Sequence, residues 1–571
     1  MHKAAPEIGK AGGSDFGLIH YSEKRPPAWF NGDNINDLRH HLIAVVAKGS
    51  VVALAFSDTA QRRTIITDIR RGQIPAFRQL APVTAKQIND AFVGEKVRTL
   101  WLNAAHQRVS TKADSKVLSG LELEAALDPL DDQTYYFSSV RSTPELAKVA
   151  ADKPAPVIGA NPRNARVWIG PSKDWADFLI RVEALLDATS WAISKPKKDD
   201  SPLPVLARPI YGIPAARTPY DMAIIVPEAI SAGAEDSDED AWLHEFSDAV
   251  RFEIVHVDKS PSFTAEVFWG KERYGKIAYN FVADKDGEAN LKSDVVEWSN
   301  DAEHRDDIKR ICRDSELLTI HFDTGHTFAR GLFYETRFRD AAFAEWSWIA
   351  LKGFDLDTEK PLTGRKLNIK GIGEKADISL FGYVAKHWPN FTDAGRPTGW
   401  LVCDDGSMES ADFVHFDAAS KPPSLTLVHV KGSNSASAAR SISVSDYEVV
   451  VGQAVKNLRY LDRVNVHEKL ASNRSTKIGS AIWKDGVRQK NRDGFLKALK
   501  NAGSNMRKVV CVLQPSARLS QVESARKLIA AGSTVSSVRR LQQLDTLLLG
   551  ARRDCLALGA DFLVIGHDDR V

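Results

Sequence analysis

The stretch LTLVHVKGS, residues 425–433, is an alternating apolar run that ends in a histidine, a lysine and a glycine. This alternation predicts a β-strand. Side chains at positions i and i+2 of a strand point to the same face, so His429 and Lys431 are offered to the same neighbours. Two groups that can both carry positive charge need an acidic or polar partner.

Acids occur just upstream, in DDGSMESADFVHFD, residues 404–417. Four of them crowd a predicted turn and the start of a second strand: Asp404, Asp405, Glu409 and Asp412. If the two strands pair, Asp412 lies opposite the face of His429 and Lys431. Carboxylates there predict a site for Mg²⁺ or Mn²⁺, and Lys431 would stabilise negative charge that develops on phosphorus.

The elements around these strands complete a predicted α/β layer with a mixed central sheet flanked by helices. Their order is a helix (377–388), three strands (399–405, 411–417 and 425–432), a helix (444–462), a strand (508–515), two helices (520–531 and 538–557) and a last strand (561–566).

This order, with Asp412 and the terminal His-Val-Lys, resembles the core of the PD-(D/E)XK nuclease superfamily over about residues 399–515. The resemblance implies a restriction-endonuclease-like fold and metal-dependent hydrolysis of phosphodiester bonds. By this match Asp412 is the metal-binding aspartate, Lys431 is the catalytic lysine, and His429 takes the position of the second metal ligand.

The sequence departs from the family pattern at two positions. Ala411 replaces the proline of the family name, and His429 replaces the usual Glu or Asp. A neutral imidazole ligates Mn²⁺ well and Mg²⁺ poorly. Either Glu409 supplies the missing carboxylate or the metal preference is shifted, and we favour Glu409. The acid that many members carry on the preceding helix has only Glu374 as a candidate.

The helix after the lysine strand carries Gln453, which resembles a glutamine found there in several nuclease families. It belongs to a stripe at helical spacing: Asp446, Val450, Gln453, Asn457 and Tyr460. A polar stripe of this kind is equally typical of the solvent face of a surface helix.

The charge distribution favours a nucleic-acid partner. Residues 431–571 hold 24 Lys and Arg against 12 Asp and Glu, a balance of +12, so the rest of a chain whose net charge is +2 carries −10. A basic block gains affinity for phosphates through counterion release, and it is equally compatible with a solvated lysine-rich surface. We expect DNA as the partner and leave RNA open.

The length of the chain and the linker-like tracts within it predict a multidomain α/β and β-rich protein. We expect a mixed α/β region at 1–192 for recognition or partner docking, a β-rich middle domain at 205–350 and the nuclease-like domain at 365–571. The tracts 194–204 and 232–240 are predicted to be linkers.

Other features limit the location and the partners. The four cysteines form no C-x-x-C pair, and the sequence has neither a leader-like apolar segment nor a membrane span, so we expect a cytoplasmic protein. It has no G-x-x-x-x-G-K-[ST] motif, so any ATPase would be a separate subunit. The wider 404–456 string is similar to nuclease-like regions of bacterial restriction and antiphage systems found beside or fused to helicases.

A rival motif is HFDTGHT, residues 321–327, whose Asp-Thr-Gly is similar to the aspartic protease signature. Asp and Gly between two strand-like runs are typical of a β-turn, which we predict here.

The sequence as a whole predicts a Mg²⁺- or Mn²⁺-dependent DNA nuclease in restriction or antiphage defence. The alternative is an inactive nucleic-acid-binding or scaffold subunit of a helicase-containing defence or repair complex. Uptake of metal would distinguish these two functions.

Overall fold

A computed structural model of the chain describes residues 2–3, 6–27, 32, 34–93, 95–109, 111–143, 157–195, 203–215, 218–225, 245–257, 262–283, 287, 289–299, 304–391, 396–406, 408–433, 435, 437, 440–472 and 478–570. The chain forms two compact units, Met1–Phe338 and Arg339–Val571. Each unit has its own secondary structure and hydrophobic core.

The first unit is rich in strands. Its strands are β1 (His2–Lys3), β2 (Glu7–Ala11), β3 (Ser14–Arg25), β4 (Asp37–Lys48), β5 (Val51–Phe56), β6 (Glu95–Ala104), β7 (Ser115–Ser119), β8 (Tyr135–Thr143), β9 (Ile158–Asn161), β10 (Arg166–Trp168), β11 (Arg208–Ile210), β12 (Pro219–Ile224), β13 (Val250–Val257), β14 (Phe263–Trp269), β15 (Glu272–Ala283), β16 (Ala289–Trp298), β17 (Leu318–Phe322), β18 (His326–Ala329) and β19 (Leu332–Glu335). Its helices include α1 (Thr59–Arg70), α2 (Ala85–Phe92), α3 (Leu123–Ala126), α4 (Trp175–Ser194) and α5 (Arg305–Cys312).

These strands form antiparallel sheets. The strand orders are β1-β3-β4-β5 with β2 on β3, β10-β9-β8-β6-β7, β11-β19-β18-β17-β12 and β13-β14-β15-β16. Asp323, Thr324 and Gly325 turn the chain from β17 to β18, and Gly325 has a φ of 74°, a left-handed conformation that suits glycine. The β-turn predicted for HFDTGHT is therefore confirmed.

The second unit holds the remaining elements. Its strands are β20 (Trp346–Ile349), β21 (Leu362–Thr363), β22 (Lys366–Leu367), β23 (Trp400–Cys403), β24 (Phe413–Asp417), β25 (Ser424–Val430), β26 (Ile482–Lys484), β27 (Val487–Arg488), β28 (Arg507–Arg518) and β29 (Ala560–His567). Its helices include α6 (Leu380–His387), α7 (Val444–Lys456), α8 (Arg463–Ala471), α9 (Asp493–Asn501), α10 (Leu519–Ala530) and α11 (Ser536–Leu556).

One mixed sheet organises this unit, with the order β20-β29-β28-β25-β24-β23-β26-β27. Strands β23, β24 and β25 form an antiparallel meander. Strands β28, β29 and β20 continue from β25 in parallel. The crossover from β25 to β28 includes α7, and the crossover from β28 to β29 includes α10 and α11, because parallel neighbours require a long connection.

Both faces of the central strands are buried. Val428 and Val430 pack with Phe413 and with residues of α6 in one apolar cluster. Leu427 of β25 faces the other way and is buried as well, on a strand that packs against α7. Continuous apolar runs such as β25 and β28 are expected where helices cover both sides of a sheet.

The predicted multidomain, mixed α/β and strand-rich class is confirmed. The C-terminal helices and strands predicted from the sequence pattern are present within a few residues of their predicted bounds, except that the helix predicted at 444–462 ends at Lys456. The predicted linkers lie mostly outside the described residues, which omit 196–202 of the first and all of 232–240.

The unit boundary falls after Phe338, and β20 joins the sheet of the second unit through β29. The finer division at 1–192, 205–350 and 365–571 stays a prediction. Among the described residues, no helix combines the length and the apolar character needed to cross a membrane.

The first prediction concerns Phe413, in the core of the second unit. Phe413 is fully buried and its ring lies 4.9 Å from that of Phe381. Phe413→Ala should lower the free energy of unfolding by about 3–5 kcal/mol, because it removes apolar contacts and leaves a cavity. Urea denaturation followed by tryptophan fluorescence measures this loss. Val487→Ala, on an exposed strand of the same unit, should change stability by less than about 0.5 kcal/mol.

Candidate metal centre

Three carboxylates meet at one end of the β23–β24 pair. Asp405 follows β23, Glu409 lies in the connecting loop, and Asp412 immediately precedes β24. One ligand oxygen from each lies within 4.8 Å of those of the other two. Among the residues that the structure describes, this is the one such group of His, Cys, Asp or Glu side chains.

The loop folds tightly around its own polar groups. Gly406 has a φ of 145° and Met408 a φ of 64°, so the chain reverses sharply between the acids. Glu409 Oε2 accepts a hydrogen bond from Gly406 N at 2.9 Å. Asp404 is not part of this cluster, and its Oδ2 accepts hydrogen bonds from the backbone N and the hydroxyl of Ser410.

The β24–β25 pairing fixes Asp412. Phe413 pairs with Val428, and the same antiparallel register continued by one residue sets Asp412 across from His429. Asp412 Oδ2 accepts a hydrogen bond from Val430 N at 2.8 Å. The predicted pairing of these two strands is confirmed, and it brings Asp412 to the end of the lysine strand.

Burial makes these acids hard to ionise. Desolvation and the charge of Glu409 raise the pKa of Asp412 well above its usual range. Desolvation also raises the pKa of Glu409, with a further contribution from the charge of Asp405 and despite the hydrogen bond from Gly406. A buried cluster of like charges favours either a proton or a bound cation.

A neighbouring segment supplies one cation. Lys360 forms an ion pair with Asp405 and lies 3.4 Å from Glu359 Oε1. Burial alone would lower the pKa of Lys360, but the hydrogen bond to Asp405 and the charges of Asp405 and Asp412 raise it overall. Lys360 could not be predicted as part of the site from the sequence, because it lies outside the stretch that resembles the nuclease core and belongs to no motif.

Lys431 is held by a different acid from the one predicted. Its Nζ lies 2.7 Å from Glu359 Oε2, which also accepts a hydrogen bond from Gly432 N at 3.2 Å. Burial would raise the pKa of Glu359, but the hydrogen bond from Lys431 and the charges of Lys360 and Lys431 lower it overall. The acid beside Lys431 is therefore Glu359, whereas the predicted candidate Glu374 lies near Arg488.

His429 does not join the carboxylates. Its side chain is fully buried, and neither ring nitrogen has a hydrogen-bond partner among the described residues. Burial, with the charge of Lys456, lowers its pKa to about 3, so the ring is neutral at pH 7. The other two predicted ligands, Asp412 and Glu409, lie close together. The third member of their cluster is Asp405 and not His429.

Gln453 lies in α7 and is half-buried. Its predicted stripe does not form a solvent face, because Asp446, Val450 and Asn457 are buried and Tyr460 is half-buried. No ligand role for Gln453 follows from these positions.

The donor set suits a hard divalent ion. Mg²⁺ and Mn²⁺ prefer carboxylate oxygens, and three carboxylates from one short loop provide them without the imidazole. Lys360 offsets only part of their negative charge. The geometry therefore favours the alternative in which Glu409 supplies the acid that position 429 lacks.

No protein-family model, curated protein or solved structure matches this chain.

Replacing one carboxylate should stabilise the metal-free protein. The pKa of Asp412 is higher in the folded than in the unfolded chain, so its ionisation costs stability above the unfolded carboxyl pKa of about 4. Asp412→Asn removes this cost at neutral pH and keeps an acceptor for Val430 N. We expect Tm to rise by roughly 2–4 °C for each kcal/mol recovered, and the gain to vanish towards pH 3.

Differential scanning calorimetry at pH 7 and pH 3, with chelator present, measures this effect. Asp561→Asn, at a surface carboxylate paired with Arg507, serves as the control and should leave Tm unchanged. A Tm for Asp412→Asn at or below that of the wild type at pH 7 would contradict the expected direction.

Lys360 and a metal ion should compete for the same carboxylates. Lys360→Met removes the ammonium group but keeps much of the apolar stem that approaches the ring of Phe381. We expect Mn²⁺ to bind roughly tenfold or more tightly, since unit charges a few Å apart interact by several kcal/mol in a partly buried site. Titration calorimetry measures this, with exposed Lys375→Met as the control.

Proposed function

We propose that the chain is a Mg²⁺- or Mn²⁺-dependent nuclease that hydrolyses phosphodiester bonds of DNA in bacterial restriction or antiphage defence. The observation that carries the proposal is the meeting of Asp405, Glu409 and Asp412 next to the lysine-bearing end of β25. The fold supports it: α6, the β23–β24–β25 meander, α7 and β28 follow the order expected of a restriction-endonuclease-like core.

In this proposal Asp405, Glu409 and Asp412 hold the ion. A bound divalent ion activates water and stabilises charge on a phosphoryl oxygen. The carboxylates bind it from a loop whose backbone hydrogen bonds leave little freedom, so the donor atoms need little rearrangement. His429 contributes no ligand atom in this proposal, and its side chain is fully buried.

Lys431 neutralises the reacting phosphate in this proposal. Its side chain is 32% exposed, which leaves the ammonium group accessible to a polyanion. Glu359 orients it in the free protein through a 2.7 Å contact. A phosphate that enters would share the ammonium with Glu359, because Lys can donate three hydrogen bonds.

The basic balance of residues 431–571 supports DNA as the substrate. The proposal includes action in the cytoplasm and a separate helicase or ATPase subunit as partner. The second candidate is an inactive nucleic-acid-binding or scaffold subunit. It is favoured by one observation: the position of the expected acid holds a neutral His429, which has no hydrogen-bond partner in the described part of the chain. Absence of Mn²⁺ and Mg²⁺ uptake in titration calorimetry would select this alternative.

Substitution of the lysine tests the nuclease. Lys431→Ala should reduce the rate of plasmid cleavage at least about 100-fold, the size expected when a group that stabilises transition-state charge is removed. Metal affinity should change little, since Lys431 pairs with Glu359 and not with the three carboxylates. Gel analysis of supercoiled plasmid, with Mg²⁺ and then Mn²⁺, measures the rate.

Lys497→Ala, on the exposed side of α9, removes the same charge from the same unit and should cleave at the wild-type rate. Equal cleavage by the Lys431 and Lys497 variants would exclude the assignment of Lys431 as a catalytic residue.

A further inference from the structure

A cavity of about 180 Å³ lies in the first unit between two sheets, one containing β6 and β8 and the other containing β12 and β17. A hydrogen bond of 2.7 Å from Thr327 Oγ1 to the carbonyl of Ala105 joins the two sides beside it. The apolar walls include Ala223, Ile224 and Ile225. The polar lining residues include Asn103, His106, Arg108, Asp114, Asp221 and His321.

His321 offers a hydrogen-bond acceptor to this cavity. The hydroxyl proton of Thr327 is donated to Ala105, so Thr327 Oγ1 must accept a hydrogen from His321 Nδ1, which lies 3.0 Å away. Burial lowers the pKa of His321 to about 4, which keeps the ring neutral at pH 7. Its Nε2 is then an unprotonated nitrogen with a lone pair for a ligand.

His106 has the same arrangement of its ring nitrogens, with Nδ1 as the hydrogen-bond donor. Its Nδ1 lies 2.8 Å from the carbonyl oxygen of Gln107, an atom that only accepts, so Nδ1 carries the hydrogen. In the neutral ring Nε2 is an acceptor. This atom is buried and has no hydrogen-bond partner among the described residues.

Two carboxylates add further acceptors. Asp114 binds Arg108 through Oδ2 at 3.0 Å, while its buried Oδ1 has no hydrogen-bond partner in the described part of the chain. Asp221 pairs with His321 across the β12–β17 ladder, so the two side chains share a face. Among the described lining residues, the cavity therefore has two carboxylates and two imidazoles against the guanidinium of Arg108.

Such a lining selects a ligand that donates hydrogen bonds and carries positive charge. Anions are disfavoured by the net charge, and a purely apolar molecule would leave the buried acceptors unpaired, at a cost. The side chains do not form a group close enough to hold one metal ion, within the residues that the structure describes.

We propose that this cavity binds a guanidinium or primary ammonium group on a short apolar stem, from either a free amine or an arginine or lysine side chain of a partner. The apolar walls would cover the stem while Asp221, His321, His106 and Asp114 accept hydrogen bonds from the head. The proposal does not depend on nuclease activity, because these residues all lie in the first unit.

Titration calorimetry on the full chain tests it with three probes: agmatine, the tripeptide Gly-Arg-Gly, and N-butylurea as a neutral analogue. We expect saturable one-to-one binding of agmatine or the tripeptide, and at least about tenfold weaker binding of N-butylurea. Tighter binding of agmatine identifies a free amine as the natural source, and tighter binding of the tripeptide identifies a partner's side chain.

Two variants locate the site. Asp221→Asn should weaken agmatine binding at least about tenfold, whereas Asp294→Asn, the same change at an exposed position on β16, should bind as the wild type does. Ala223→Leu should also abolish binding, because it fills the cavity from the wall. Circular dichroism and thermal unfolding confirm that each variant is folded.

Three results would overturn the proposal. These are the absence of saturable binding by both cationic probes, equal affinities of the Asp221 and Asp294 variants, and equal affinities for agmatine and N-butylurea.

Discussion

The hydrogen bond from Val430 N to Asp412 is the contact on which the candidate site depends. It joins Asp412, the residue immediately before β24, to Val430, the last residue of β25. The acidic loop is therefore held beside the strand that leads to Lys431. Because both strands are central in an eight-stranded sheet and covered on both faces, this junction is rigid. The buried anchor at Asp412 and the hydrogen bonds within the loop together hold the three acids in place.

Sequence patterns could predict the frame of the second unit well. Strands such as β25 and β28 are short apolar runs between turn residues, and α11 has clear helical spacing, so local composition specifies their type. The pairing of β24 with β25 followed from the short connection between them. The parallel additions of β29 and β20 were not specified by any local signal, since they depend on contacts between distant segments.

The site was predicted only in part, for a similar reason. Asp412 and Glu409 lie in one short loop, and their proximity could be inferred from spacing alone. Glu359 and Lys360 reach the site from a segment more than 40 residues upstream, which no local pattern indicates. His429 fits the strand pattern, but the alternation that places it on a face does not reveal that this face is sealed.

Glu359 and Lys360 are adjacent and oppositely charged, and they contact different groups of the site. Glu359 contacts the ammonium group of Lys431, and Lys360 pairs with the carboxylate of Asp405. A short segment hydrogen-bonded to the start of α6 thus supplies one opposite charge to Lys431 and one to the carboxylate cluster. One practical consequence is that chelating agents should not unfold the protein. Dialysis against a chelator should yield a folded apoprotein, ready for reconstitution with one chosen ion at a time.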